Sequence, residues 1–209
     1  MASGFYRICE WIMRMAYINI LWLLFTVAGL GVFGFMPATI GLFTVVRKWL
    51  MGETEVPIFR TFLDCFKQEF MTANKFALVF IVVGFVLYVD FLFLASVEGI
   101  IHTILLVGLF VAGMIYSVTL CYIIPVYVHY RLPFLQYFKS AFIIGVVNPV
   151  LTITMFVALI LFVLLFLWIP GLIPFFSVSA VGLVLMHVGL LAIKNIESKK
   201  EKMKEQNIN

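Results

Sequence analysis

The stretch from Met15 to Val46 most constrains what this chain can fold into, because it carries no charged residue and is closed by Arg47-Lys48. As one helix it would be about 48 Å long, against a hydrocarbon core of about 30 Å. Divided into two full spans it leaves only about 16 residues for each, which is short for a crossing. Gly29, Gly31, Gly34 and Pro37 cluster at its middle, where a turn between two helices would fall, and Pro37 suits the first turn of the second. A hairpin would also put Arg7 and Arg14 on the same side as Arg47 and Lys48, and positive charge marks the cytoplasmic face. The expectation is a span over 15–33 and a second segment over 37–50, short or re-entrant; a re-entrant segment needs other helices to cover it. A single tilted span with an outside N-terminus is the alternative.

The rest of the composition agrees that lipid is the main solvent. The chain is 65% hydrophobic and 11% charged, with a mean hydropathy of +1.18, whereas a soluble domain carries about 25% charged residues. A chain of 209 residues is too short to hide that much apolar surface from water. One integral membrane domain over 1–209 is expected: an all-α, polytopic transmembrane bundle of five to six membrane segments. The net charge of +4 and 17% aromatic residues could suggest nucleic acid in a soluble protein. Here the Lys and Arg end apolar runs and the Phe residues fill them, so the bilayer is the partner and nucleic acid is not. Cys9, Cys65 and Cys121 have no paired spacing, so neither a disulfide framework nor a metal site is implied, and no cofactor is expected. The N-terminal run passes any plausible cleavage point into more apolar sequence, and reads as an uncleaved first span.

In chain order, Ile8, Trp11, Ile12 and Met15 at helical spacing predict a short interfacial helix before the first span. Between 57 and 75 an apolar face of Phe59, Phe62, Phe66 and Phe70 opposes Arg60, Asp64 and Lys67. That pattern predicts an amphipathic helix lying on the cytoplasmic surface of the membrane: an anchor or, more pointedly, a docking face. Further spans are expected over 76–97, 100–128, 140–169 and 175–193, with a cytoplasmic tail over 194–209. Gly108/Ala112 and Gly113/Ser117 are small residues four apart and predict close helix packing. Pro125 predicts a kink.

One set of motifs carries a family resemblance. Asn19-Ile20-Leu21-Trp22, the turn Pro37-Ala38-Thr39, the pair Arg47-Lys48 and the segment Phe62-x-x-x-Phe66-Lys67-x-x-Phe70 together resemble the YesL-like family of small bacterial membrane proteins. Met36 stands where family members often have Gly. The resemblance implies a bacterial cytoplasmic membrane location and a family of unknown function found near carbohydrate-uptake transporters and sensor kinases. It supplies no catalytic or ligand residues.

Three polar residues inside expected spans are candidate functional groups. Asp90 is a carboxylate in the outer third of its span, where intramembrane acids face a bundle interior or water; Glu98 and His102 lie near it, a combination that reads as a wetted loop more readily than a metal site. Asn148 precedes Pro149 and breaks a helix in the membrane. His187 reads as a hydrogen-bonded structural residue before a proton relay. No HExxH, GxSxG or phosphate-binding glycine loop is present, so an enzyme is not expected. The function expected is a non-enzymatic accessory of carbohydrate uptake or its sensing, partnered by a transporter or sensor kinase through Phe59, Phe62, Phe66, Phe70, Arg47 and Lys48. A homo-oligomer is compatible with this. A small transporter using Asp90, Asn148 and His187 is the alternative.

Overall fold

The computed structural model of the chain describes residues 2–206. Among the described residues are seven α-helices and no strand: α1 Ala2–Ala28, α2 Val32–Leu50, α3 Ile58–Leu94, α4 Ile100–His129, α5 Phe134–Val147, α6 Pro149–Trp168 and α7 Ile173–Gln206. A single 3-10 turn, Pro170–Leu172, joins α6 to α7. Five of the helices, α1, α3, α4, α6 and α7, are long and apolar enough to cross a membrane. The chain is a multi-pass, all-α membrane protein.

The first uncharged run is a hairpin. Leu30 and Gly31 take φ of 61° and 73°, the left-handed region in which glycine is at ease. Gly29 and Gly34 let the two backbones meet: a Cβ on Gly29 would lie 2.4 Å from the Gly34 Cα. Below the turn, Trp22 Nε1 donates to Thr39 Oγ1 at 3.0 Å, Trp11 meets Trp49 edge-on at 5.7 Å, and Arg14 Nη1 donates to the Thr54 carbonyl at 2.7 Å. Positions fall along α1 as they rise along α2, so the chain doubles back and the single tilted span is excluded. The turn comes earlier than expected, and Pro37 sits inside α2 rather than in its first turn.

That position has a consequence for the helix ladder. Proline has no N–H, so the carbonyl of Phe33, four residues before Pro37, loses its usual partner. Asn74 of α3 supplies one: its Nδ2 donates to the Phe33 carbonyl at 3.1 Å and to the Phe70 carbonyl at 2.7 Å. The repaired helix is the centre of the bundle. α1, α3, α4 and α7 all pack on α2, and every residue from Met36 to Val46 except Thr44 is buried. Gly182 of α7 makes room for this: a Cβ there would lie 2.6 Å from Leu42 Cδ2.

Two expected interfacial helices are not separate elements. Residues before Met15 belong to α1, and Trp11 packs on Trp49. The 57–75 segment is the first half of α3, a continuous helix of 37 residues. No proline interrupts it, so the segment runs straight into the 76–97 span. Phe62 is 0% exposed and its ring lies over Gly41, where an added Cβ would sit 3.4 Å from it, while Phe25 of α1 lies 5.1 Å from both Phe62 and Phe66. At Phe62 and in part at Phe66 the aromatic face is covered by the α1–α2 hairpin, whereas Phe59 stays half exposed; helical periodicity records that a face is covered and not what covers it.

Beyond Phe80 the α3–α4 pair projects as an arm. No residue from 81 to 93 or from 95 to 117 is buried. A Cβ placed on Gly108 or Gly113 would meet nothing within 4 Å beyond its own helix, so the small-residue pairs do not mark close packing. Close approach occurs instead at Gly145 against Val118 and at Gly189 against Pro125. α4 passes through Pro125 as one helix.

The expected 140–169 span is two helices, α5 and α6, divided at Asn148 with Pro149 at the start of α6. Pro149 cannot donate to the Gly145 carbonyl; Thr152 Oγ1 does so at 2.8 Å, and the same hydroxyl meets Tyr122 Oη at 3.0 Å. Asn148 Nδ2 donates to the Ile144 carbonyl at 3.0 Å. α7 carries the tail on as helix from 194 to 206; residues 207–209 of the expected tail lie outside the described residues. Asn19, fully buried in α1, ties α7 to the hairpin. Its Nδ2 donates to the Pro174 carbonyl at 2.8 Å, and its Oδ1 accepts from the N–H groups of Val178 and Ser179 at 3.0 Å.

The repair at Pro37 is testable by a double-mutant cycle in mild detergent. Asn74→Ala leaves the Phe33 carbonyl without its donor and should lower unfolding stability by about 1–3 kcal/mol. Pro37→Ala restores a backbone donor, so in that background the same change should cost much less. Equal costs in both backgrounds would remove the repair role from Asn74.

Candidate functional site

Polar side chains converge at the end of the bundle where α2 and α4 finish and α3 and α5 begin. A cleft of about 600 Å³ opens there, lined by Arg47, Lys48, Asp64, Glu69, Tyr127, His129, Tyr130 and Arg131 among others. Its acids and bases are treated differently by their surroundings. Asp64 pairs with Arg60 at 3.9 Å, and the Glu69 carboxylate accepts a hydrogen bond from the Tyr127 hydroxyl. Arg47, Lys48 and Arg131 make no ion pair among the described residues. Arg47 Nε and His129 Nδ1 are buried without any hydrogen-bond partner among the described residues.

The wall around these groups is held in place. Tyr137 Oη accepts from the Leu132 N–H at 2.9 Å and donates to the Tyr130 carbonyl at 3.1 Å, which clamps the α4–α5 link on both sides of Arg131. Tyr130 Oη donates to Glu197 Oε1 at 2.7 Å. Burial and this carboxylate raise the Tyr130 hydroxyl above the usual tyrosine range, so it remains a donor at neutral pH and holds α7 to the link. Glu197 also lies 3.8 Å from His129 Nε2. Thr44 and Cys65 close the inner wall, with Oγ1 and Sγ 3.3 Å apart.

The residues singled out within the spans do not meet. Asp90 is exposed on the arm, beside a groove of about 390 Å³ whose other walls are Leu87, Leu94, Leu105 and Gly108 among mainly apolar neighbours. His187 is exposed on α7, not in a buried hydrogen-bonded setting. Asn148 is buried and bonded at the helix break, where it also receives Asn195 Nδ2 at 3.5 Å. Glu98 is exposed and His102 partly so; among the described residues no group of three or more His, Cys, Asp or Glu could hold a metal. Of the expected interaction face, Arg47 and Lys48 line the cleft, Phe62 is covered, and Phe59 is half exposed. Sequence reasoning missed Glu69, Tyr127, His129, Tyr130, Arg131 and Tyr137 as a group, because they come from three separate stretches. A usable signal was present in the run from Tyr127 to Arg131, which is polar-tipped at every position except Val128.

Comparison with known proteins places these elements in a family. A family model described as "Protein of unknown function, DUF624" matches residues 15–91, the stretch from the first span through most of α3. The protein YteU of Bacillus subtilis (strain 168) is 37% identical over 191 residues, covering 91% of this chain and 86% of its own. The chain belongs to the DUF624 family. Two further DUF624-like relatives of the same organism are YesV, 35% identical over 94% of both chains, and YesL, 32% identical over 97% of this chain and 96% of its own; all three carry the description "uncharacterized protein". The YesL-like resemblance is thereby confirmed. No solved structure matches the chain. Within the DUF624 match the signature residues divide by role: Asn19, Trp22, Thr39 and Phe62 tie helices together, whereas Arg47 and Lys48 face the cleft.

Openness of the cleft can be read by thiol labelling. In a Cys9→Ser background, a small charged methanethiosulfonate added at the basic end of the protein should modify Cys65 and leave buried Cys121 untouched. Failure to modify Cys65 under conditions that label Cys9 in the parent would mean that the cleft is closed to water.

Proposed function

We propose that this DUF624 protein is a non-enzymatic accessory component of a bacterial cytoplasmic membrane, presenting the cleft end to the cytoplasm and serving a carbohydrate-uptake or sensing system. The observation that carries this reading is the segregation of its polar chemistry. Unpaired basic groups gather in one cleft at one end, while Asp90, Asn148 and His187 occupy three unconnected places. A transporter using those three would need them along one path. The helix break at Asn148-Pro149 is also sealed by its own neighbours, with the Ile144 and Gly145 carbonyls both accepting side-chain donors. Those two carbonyls are thereby engaged within the protein.

Orientation follows from charge. The connections at the far end, 95–99 and 169–172, contain no Lys or Arg, whereas Arg47 and Lys48 in the last turn of α2, Arg131 of the α4–α5 connection and the basic tail lie at the cleft end, as a cytoplasmic face requires. A bacterial location is supported by the Bacillus subtilis relatives. The partner class, a carbohydrate permease or its sensor kinase, is the one that the family resemblance implies.

The test is recovery from living cells. With the C-terminus tagged, cells cross-linked and the protein purified in mild detergent, a permease or sensor kinase should accompany it at near-stoichiometric yield. Recovery of the chain alone, as a monomer or homo-oligomer, would overturn the accessory role.

A further inference from the structure

The cleft holds more positive charge than its own residues neutralise. Of its charged lining groups, the two acids are engaged, Asp64 by Arg60 and Glu69 by Tyr127, while the three bases Arg47, Lys48 and Arg131 have no ion pair among the described residues. Arginine left without a counter-charge beside buried surface is costly, and more so when one of its donors is desolvated. Arg47 Nε is in that state. The arrangement is also fixed in advance. Arg47 and Lys48 project from the last turn of the most enclosed helix, and Arg131 stands on a link clamped at both neighbours by Tyr137. Three cations carried on fixed backbone around one cleft suit an anion that meets them together.

We propose that this cleft binds a phosphate-bearing anion, held jointly by Arg47, Lys48 and Arg131. A single carboxylate has two oxygens and one charge, and would face the Asp64 and Glu69 walls with little surplus attraction. A phosphate group offers up to two charges and three terminal oxygens, enough to meet a guanidinium, an ammonium and a second guanidinium at once. The volume of about 600 Å³ accommodates a phosphate with an attached headgroup or small polar body. The same chemistry is offered by a lipid headgroup entering from the membrane edge and by a soluble phosphate entering from water. The cleft's role as the recognition end is taken from the function proposed above, and the experiment below needs no partner, so either can fail while the other stands.

The experiment uses the purified full chain in an uncharged detergent, with the thermal unfolding midpoint as readout. Short-chain phosphatidic acid, a phosphate monoester, in the micelles tests the lipid source, inorganic phosphate in the buffer tests the soluble source, and acetate at equal ionic strength is the control. At least one phosphate probe should give a saturable rise in midpoint that acetate does not. Arg47→Gln with Arg131→Gln should weaken its half-saturation at least tenfold, and Lys199→Gln with Lys200→Gln on the exposed tail should leave it unchanged. If the double variant is unfolded by near-UV circular dichroism, Arg131→Gln alone is measured, since Arg131 is exposed, and a several-fold weakening is expected. Saturation by phosphatidic acid alone assigns a lipid and by inorganic phosphate alone a soluble ligand. No saturable shift with either probe, an equal shift with acetate, or equal loss in the tail variant would overturn the site.

Discussion

Inside hydrocarbon a backbone carbonyl or N–H has no water to turn to, and every helix break must be repaired from within the protein. At two of its prolines this chain answers the lost backbone donor with a side chain. Asn74 takes over the Phe33 carbonyl that Pro37 abandons, and Thr152 takes over the Gly145 carbonyl that Pro149 abandons. Asn19 uses its amide in a related way at the start of α7, joining a carbonyl and two N–H groups of that helix from outside. All three ties cross between helices, so they also fix which helices are neighbours. Asn74 binds α3 to α2, and Asn19 binds α7 to α1. The polar residues of the membrane region are therefore assembly devices before they are anything else.

The position of α2 follows from these ties. It is not among the helices that length and hydropathy mark as spans, yet it is the one the others surround. Gly34, Gly41 and Thr39 keep its surface thin, and Gly182 on α7 admits Leu42. A short, small-faced helix costs little as a centrepiece because its neighbours, not lipid, satisfy its surface. Its last turn then emerges at the cleft, which puts Arg47 and Lys48 on the most enclosed element of the bundle.

Much of this arrangement was legible from the residues and some was not, for a physical reason. Charge-free runs, the Gly29–Gly31 turn and the Asn148-Pro149 break are local: each is decided by residues adjacent in sequence, and each is found where the sequence puts it to within a few positions. What covers a face is not local. Phe62 and Gly108 both sit in patterns that signal contact, but Phe62 meets protein where its pattern predicts lipid, and Gly108 meets nothing where its pattern predicts protein. The cleft was illegible for the same reason, since its walls come from α2, α3 and the α4–α5 link. The repairs could have been found: a proline in an apolar run announces an orphan carbonyl four residues earlier, and Asn74 and Thr152 are among the few donors able to reach one.

Arg47 and Lys48 satisfy two explanations at once, and their surroundings separate them. A pair of cations that only fixes orientation needs water and nothing else; it works best at the end of a helix with both heads free. Lys48 fits that account. Arg47 does not, because a guanidinium serving orientation has no reason to bury its Nε without a partner beside a wall of tyrosines and a histidine. Burial without compensation lowers the stability of the folded chain, and the loss is recovered only when an acceptor arrives. On the function and the site proposed above, the same residue pair marks the cytoplasmic side through its charge and offers a binding position through its placement.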